Sequence, residues 1–403
     1  TDTATLKYAG SQLLIYVSPN APAPPNGFTD SQISAFGNTC DLDLYAIDVA
    51  TFGQPTDIDG NGRVIVLISP LVNKLTVANT CQTQGYIAGF FDAPDLVPTE
   101  SHSNDAELFY ALAPDPQGTY SCVHNVDAVG QITPSTFIHE MQHMISFGQH
   151  FLLRDGNEED AWLNEGLSHI ADELGSRYYE NKFPPPTGRT NPAQLFPDSA
   201  QGFITGDIYN SYHYLLAPAS TDANDAPSVS DWAADGSLVE RGAVWLFLRW
   251  IGDQQDSTLY GRLDQTDKIG VANLEAASGQ SFTTLFGEFA LALYTDSLPG
   301  VPRSSIPPQF RFKSRNLRAI FARENLVNSA NFPLPFPIGL KALDPGSQVN
   351  GSMYPGTVDF YVLNAPSSGS ATLMTFKPSS VSFDASLNAQ VSVFHCPSSA
   401  ACQ

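Results

Sequence analysis

Ser135-Thr-Phe-Ile-His139-Glu140-Met-Gln-His143-Met-Ile-Ser-Phe-Gly148 decides how this chain is read. The spacing predicts a helix, with Thr133 as N-cap, Pro134 as first helical residue and Gly148 as the stop. Phe137, Ile138, Met141, Met144 and Ile145 are apolar at helical spacing, so much of its surface should be buried. Residues i and i+4 share a helical face, which lets His139 and His143 grip one metal ion. Glu140 lies beside them, where a carboxylate can deprotonate a metal-bound water. The pattern implies Zn²⁺ and hydrolysis. The plainer alternative is a surface helix with two solvated histidines.

A hydrolytic zinc site needs a third protein ligand and an open fourth position. Downstream runs Glu158-Glu-Asp160-Ala-Trp162-Leu-Asn164-Glu165-Gly-Leu-Ser168-His169-Ile-Ala-Asp172-Glu-Leu. Asp160 reads as the N-cap of a second amphipathic helix. Glu165 on that helix is the best third ligand, 22 positions after His143.

With these residues in place the sequence resembles the gluzincin metallopeptidases, in which two His and a distal Glu bind zinc. More closely, it is similar to the hyicolysin-type bacterial neutral metalloproteases. The resemblance also takes in Phe52-Gly-Gln-Pro-Thr-Asp57-Ile-Asp59-Gly60-Asn61-Gly62-Arg63, Gly89-Phe-Phe-Asp92, Ser103-Asn104-Asp-Ala-Glu107-Leu-Phe-Tyr110 and Glu240-Arg-Gly-Ala-Val-Trp-Leu-Phe-Leu-Arg-Trp250, so it spans residues 10–295 or so. It implies a zincin-like domain: a mixed sheet, an active-site helix and a helical lower lobe. It also implies that an edge strand of the sheet binds the substrate backbone by strand addition.

The chain departs from better-known relatives at two places. In thermolysin-like enzymes an Asp four residues after the glutamate ligand orients a zinc histidine. Here that position is His169, and Asp172 on the next turn is the alternative. The aminopeptidase branch carries a tyrosine in a Tyr-Glu-Lys-Gly stretch, whereas this chain has Val239-Glu240-Arg241-Gly242. The oxyanion donor is therefore unassigned. Tyr209, Tyr212, His213 and Tyr214 are the candidates, and aromatic packing is their ordinary explanation.

Composition narrows the class further. The chain has 403 residues, 19 Lys plus Arg against 41 Asp plus Glu, and a net charge of −22. That balance argues against nucleic acid or an anionic membrane as partner. No run of 18 apolar residues is present to span a membrane. The chain begins Thr1-Asp-Thr without an initiator Met, which gives the expectation of a mature secreted form with its leader removed. A monomer is expected, acting on protein or peptide substrates.

None of the five cysteines has metal-ligand spacing. Cys81 with Cys122 and Cys396 with Cys402 are conceivable pairs that leave Cys40 over. The spacing alone does not decide between connectivities.

Residues 11–18, 63–69 and 107–112 read as strands and 30–52 as mainly helical. Residues 181–238 are rich in Pro, Gly, Asn, Asp and Ser and read as a long loop region. Helical periodicity returns at 239–252, where Trp245, Leu246, Leu248 and Ile251 form an apolar face, and again at 281–294. Six basic residues fall between Arg303 and Arg323, either a solvated linker face or a docking surface. Alternating Ser, Val, Phe and Thr from 338 onward suggest a small β-sandwich. The expected fold class is α+β: a zincin-like domain over 1–297, a linker over 298–337 and an all-β accessory domain over 338–403.

Asp57-Ile-Asp59-Gly60-Asn61-Gly62-Arg63 starts like a Ca²⁺ loop of the EF-hand. Position 12 is Ile68, which has no carboxylate, so an ordinary turn competes with calcium here. Asp92, Asn104 and Glu107 form a second oxygen-rich candidate. The function expected is a secreted zinc endopeptidase with His139, His143 and Glu165 as ligands and Glu140 as base. An adhesion or binding protein on the same scaffold is the alternative.

Overall fold

Short alternating stretches of β-branched and aromatic residues build the sheet. In chain order the elements begin with β1 (Thr5–Ala9), β2 (Leu13–Val17), α1 (Asp30–Asn38), α2 (Tyr45–Thr51), β3 (Val64–Ile68), β4 (Gly89–Phe91) and β5 (Leu108–Ala111). They continue through α3 (Val126–Phe147), α4 (Ala161–Lys182), α5 (Asp198–Leu216), α6 (Leu238–Gln254), α7 (Leu259–Asp264) and α8 (Gly270–Ser278). The last are α9 (Phe282–Thr295), α10 (Leu317–Val327), β6 (Lys341–Leu343) and β7 (Tyr361–Leu363). The computed structural model describes residues 3–81, 85–191, 193–217, 227–344, 346, 355–363 and 390–395.

The chain divides into two compact units, the first comprising Thr1–Asp160, Leu167–Gly206 and Ser257–Asn273, the second Ala161–Gly166, Asp207–Asp256 and Leu274–Gln403. The first unit holds a five-stranded mixed sheet of order β1-β2-β3-β5-β4. β2, β3 and β5 run parallel, while β1 and β4 pair antiparallel at the two edges. Leu13, Ile15, Val64, Val66 and Ile68 alternate into the core. α1 opens with a capping box between Thr29 and Gln32, which satisfies two backbone donors at once. It packs on β1, β2 and α3, while α3 also lies against β4 and β5.

α3 starts earlier than its sequence suggests. Asn125, not Thr133, is the N-cap, accepting from Ala128 N, and Pro134 lies inside the helix. Proline cannot donate the i→i−4 bond and costs about 3 kcal/mol mid-helix. Burial of Val129, Phe137, Ile138, Met141, Met144 and Ile145 offsets that cost. The α-helix does end at Phe147, with Gly148 as C-cap, but the chain continues as one wider helical turn to Leu152.

In the second unit, α6 begins with a capping box between Ser237 and Glu240. Its Trp245, Leu246, Phe247, Leu248, Trp250 and Ile251 are all fully buried, so it is the core of this unit. Phe247 meets Phe282, Phe286 and Phe289 of α9 at ring separations of 5.6, 6.0 and 5.1 Å. Gly242 is needed where α6 meets α5: a Cβ there would stand 2.4 Å from Asn210 C and Ser211 N.

Two segments hold more structure than their composition suggests. The region 181–238 contains the 19-residue helix α5. Ala200, Phe203, Ile204, Ile208, Tyr212 and Leu215 are buried along it, and this packing outweighs the weak propensity of its Gly, Thr and Asn residues. The segment 298–337 contains α10 and buries Ile306, Phe312, Leu317 and Phe321. Two of its basic residues are engaged within the unit: Arg303 pairs with Asp296 at 3.1 Å, and Arg318 lies 3.5 Å from the Phe336 ring centre and donates to Asp296 O. β6 and β7 form a parallel pair. Most of the segment assigned to a β-sandwich lies outside the described residues, as do Cys396 and Cys402.

Candidate metal centre

His139 and His143 stand one turn apart on α3 with ring centres 5.0 Å apart. His139 Nδ1 lies 3.0 Å from Asp172 Oδ2 on α4. A carboxylate at Nδ1 fixes the tautomer and leaves Nε2 as the free donor toward a metal. His169, one turn before Asp172, places its Nδ1 3.5 Å from the same oxygen and its ring centre 4.9 Å from that of His139. Asp172, and not His169, is thus the group that meets His139 Nδ1.

Glu165 sits on α4 one turn before His169. The helix starts after Asp160, as expected, although the Asp160 side chain makes no cap bond. α4 is one unbroken rod, so the place of Glu165 is tied to that of His169 and Asp172. Within the first unit His139, His169 and Asp172 each offer one ligand atom within 4.8 Å of the others. A metal held by that group would have to break the His139–Asp172 bond. Two imidazole nitrogens and one carboxylate oxygen, the set expected from His139, His143 and Glu165, suit Zn²⁺ with a fourth position open.

Glu140 is nearly buried, and its Oε2 accepts a bond of 2.9 Å from Phe91 N on the edge strand β4. That strand is only three residues long and was not legible in the sequence. It ties the carboxylate beside the histidines to the backbone of a sheet edge.

Behind the histidines the first unit buries a seam of polar groups. Gln142, on α3, donates from Nε2 to both oxygens of Asp264 at 3.2 Å. Asp48 on α2 is fully buried, and neither of its oxygens has a hydrogen-bond partner among the described residues. Burial pushes its carboxyl well above the usual range; Asp172 and Asp264 add to the rise and His139 opposes it. Burial likewise raises Asp264, against the hydrogen bond from Gln142. Further along, Glu159 accepts from Asp160 N, Gly270 N and Asn273 Nδ2 at 2.7, 2.5 and 2.6 Å, and burial pushes it up to about 7. Asp48 and Asp264 escaped the sequence because nothing local marks an acid as buried.

The aromatic candidates separate into two kinds. Tyr212 accepts from Leu334 N at 2.7 Å and donates to Leu334 O at 2.9 Å, a structural tie. Tyr214 is buried, and desolvation raises its phenol. Tyr209 is 40 % exposed and lies 4.4 Å, ring to ring, from His213, whose pKa burial lowers. Arg241, also of the second unit, has no sequence signal of its own: its Nη1 lies 2.8 Å from Glu165 Oε2.

In the 57–63 loop the side chains bond to the loop itself. Asp57 Oδ1 accepts from Gly62 N, Asp59 Oδ1 from Asn61 N and Asn61 Oδ1 from Arg63 N. Asp57, Asp59 and Glu107 nevertheless approach within ligand range of one another. Glu107 already accepts from Thr56 Oγ1 at 2.7 Å and Ile58 N at 3.0 Å. Asn104 instead bonds Asp95 and Tyr110. Cys81 and Cys122 form a disulfide, and Cys40 is buried and free.

Together these features define a mixed α/β protein carrying helix-borne histidines backed by carboxylates. Comparison with known proteins points to a relationship with metalloproteases: over 173 residues the chain is 30% identical to the neutral metalloprotease ShpI of Staphylococcus hyicus. The match covers 42% of this chain and 36% of that protein, so the chain spans little more than a third of the relative's length. No family model matches the chain. No helix among the described residues is long and apolar enough to cross a membrane.

Proposed function

We propose that this chain is a secreted zinc-dependent endopeptidase of gluzincin type, allied to the hyicolysin-like neutral metalloproteases. His139 Nε2, His143 and Glu165 hold the metal, and Glu140 is the general base. The observation that carries this reading is the 3.0 Å approach of Asp172 Oδ2 to His139 Nδ1, which holds the first histidine of the His-Glu-x-x-His helix as a metal ligand is held. Zinc bound there supplies a Lewis acid for the scissile carbonyl and lowers the pKa of water. Glu140 takes a proton from the attacking water and passes it to the leaving amine. Phe91 N–H holds the carboxylate of Glu140 through Oε2. Asp172 holds His139 in the tautomer that ligates. The β4 edge offers backbone groups to an extended peptide. Asp57, Asp59 and Glu107 offer a separate oxygen-only group of the kind that calcium takes.

Casein hydrolysis by the native chain and by Glu140→Gln, with and without a chelator, tests the mechanism. Both treatments are expected to abolish cleavage. Proteolysis that survives both would rule out zinc chemistry. No cleavage of any protein, despite one bound zinc per chain, would favour a binding protein on this scaffold. A panel of N-blocked and free peptides separates endopeptidase from exopeptidase action.

A further inference from the structure

Arg241 occupies an unfavourable place for a cation. It lies in the first turn of α6, where the helix dipole presents partial positive charge. Its nearest compensation is Glu165, with Nη1 2.8 Å from Oε2. The side chains are only 23 % and 14 % exposed, which limits screening of the pair by water. Nη2 reaches back to Asp235 O at 3.3 Å, so the guanidinium is held at two corners. The backbone beneath it has little freedom. Arg241 N bonds Ser237 O at 2.9 Å, and the next residue is Gly242, pressed against the Asn210–Ser211 peptide.

We infer that Arg241 is a positioning residue for Glu165. Its guanidinium grips Oε2 and so presents the Glu165 carboxylate in one fixed orientation. The inference rests on the reading of Glu165 as a zinc ligand. It differs from the tyrosine role suggested by the neighbouring position, Val239, because Arg241 acts through the ligand and not on the substrate. A planar guanidinium with two fixed donor directions suits that task better than an ammonium.

The test is zinc affinity, measured on the full chain by competition with a chromophoric chelator. The variants are Glu165→Gln, Arg241→Ala, Arg241→Gln, Arg241→Lys and the double variant Glu165→Gln/Arg241→Ala. Thermal unfolding of the zinc-free forms establishes which are folded, and Arg241→Gln replaces Arg241→Ala if the latter is not. Removing the guanidinium should weaken zinc about 10- to 100-fold, the range typical of groups that orient a ligand. Arg241→Lys should recover part of the loss. The double variant should bind no more weakly than Glu165→Gln alone. A folded Arg241→Ala or Arg241→Gln variant within two-fold of the native affinity, while Glu165→Gln is weakened, would overturn the inference and leave the zinc site standing. An equal further loss in the Glu165→Gln background would overturn it too, since Arg241 would then act elsewhere. Unchanged zinc affinity in Glu165→Gln would instead remove Glu165 from the ligand set, and the inference with it.

Discussion

Asp172 Oδ2 sits 3.0 Å from His139 Nδ1, bridging two helices at the candidate metal centre. The bond joins the middle of α4 to the first histidine of the His-Glu-x-x-His segment. Asp172→Ala should therefore lower zinc affinity about 10- to 100-fold while leaving stoichiometry at one. Equilibrium dialysis against buffered zinc measures both. An affinity unchanged by the substitution would mean that His139 needs no orienting partner.

Glu140→Gln keeps the shape of the side chain and removes the base. The peptidase rate should fall by about 10²- to 10⁴-fold, with bound zinc unchanged. Metal analysis alongside peptide hydrolysis separates loss of chemistry from loss of metal. Zinc lost together with activity would assign Glu140 a structural role.

Gly242→Ala should destabilise the chain by about 1–3 kcal/mol, because its methyl would meet the Asn210–Ser211 backbone, which cannot rotate away. Denaturant unfolding reads this directly. A loss below about 0.5 kcal/mol, the range of an ordinary surface substitution, would mean that α5 and α6 can separate cheaply.

Glu159 gives a pH signature. The unfolded carboxyl loses its proton near 4.5 and the folded one near 7. Between these values the unfolded chain binds fewer protons, so stability falls as pH rises through that window and levels off above it. The loss amounts to about 3 kcal/mol for this group. Glu159→Gln cannot ionise, so the drop in melting temperature between pH 5 and pH 8 should shrink. It should not vanish, because the raised Asp48 and Asp264 act in the same direction. Calorimetric scans across that range decide the matter, and an unaltered slope would refute the assignment.

The sequence disclosed what is local. His139, Glu140 and His143 lie within one helical turn or so, and the strands β2, β3 and β5 declare themselves by alternation. Asn164-Glu165 followed by an amphipathic run announced α4 in the same way. Pro134 misled because its preference for a helix start is real, yet burial of both flanking turns overrides it. α5 was hidden because its Gly, Thr and Asn residues mask a buried stripe. Asp48 and Arg241 were illegible for another reason. Their significance depends on which groups face them, and those groups come from distant parts of the chain.

Glu165 and Asp172 are separated by seven residues on one rod, almost two full helical turns, so they project from the same side. Inserting or deleting a single residue between them would swing one away from the other by about 100°. The stretch between His143 and Glu165 is different, because its loop after Leu152 can absorb a change in length. In a chain evolving by insertion, the interval 165–172 is therefore frozen while the interval 143–165 is negotiable. Distant kin should be sought with a variable gap before the glutamate and an invariant one after it.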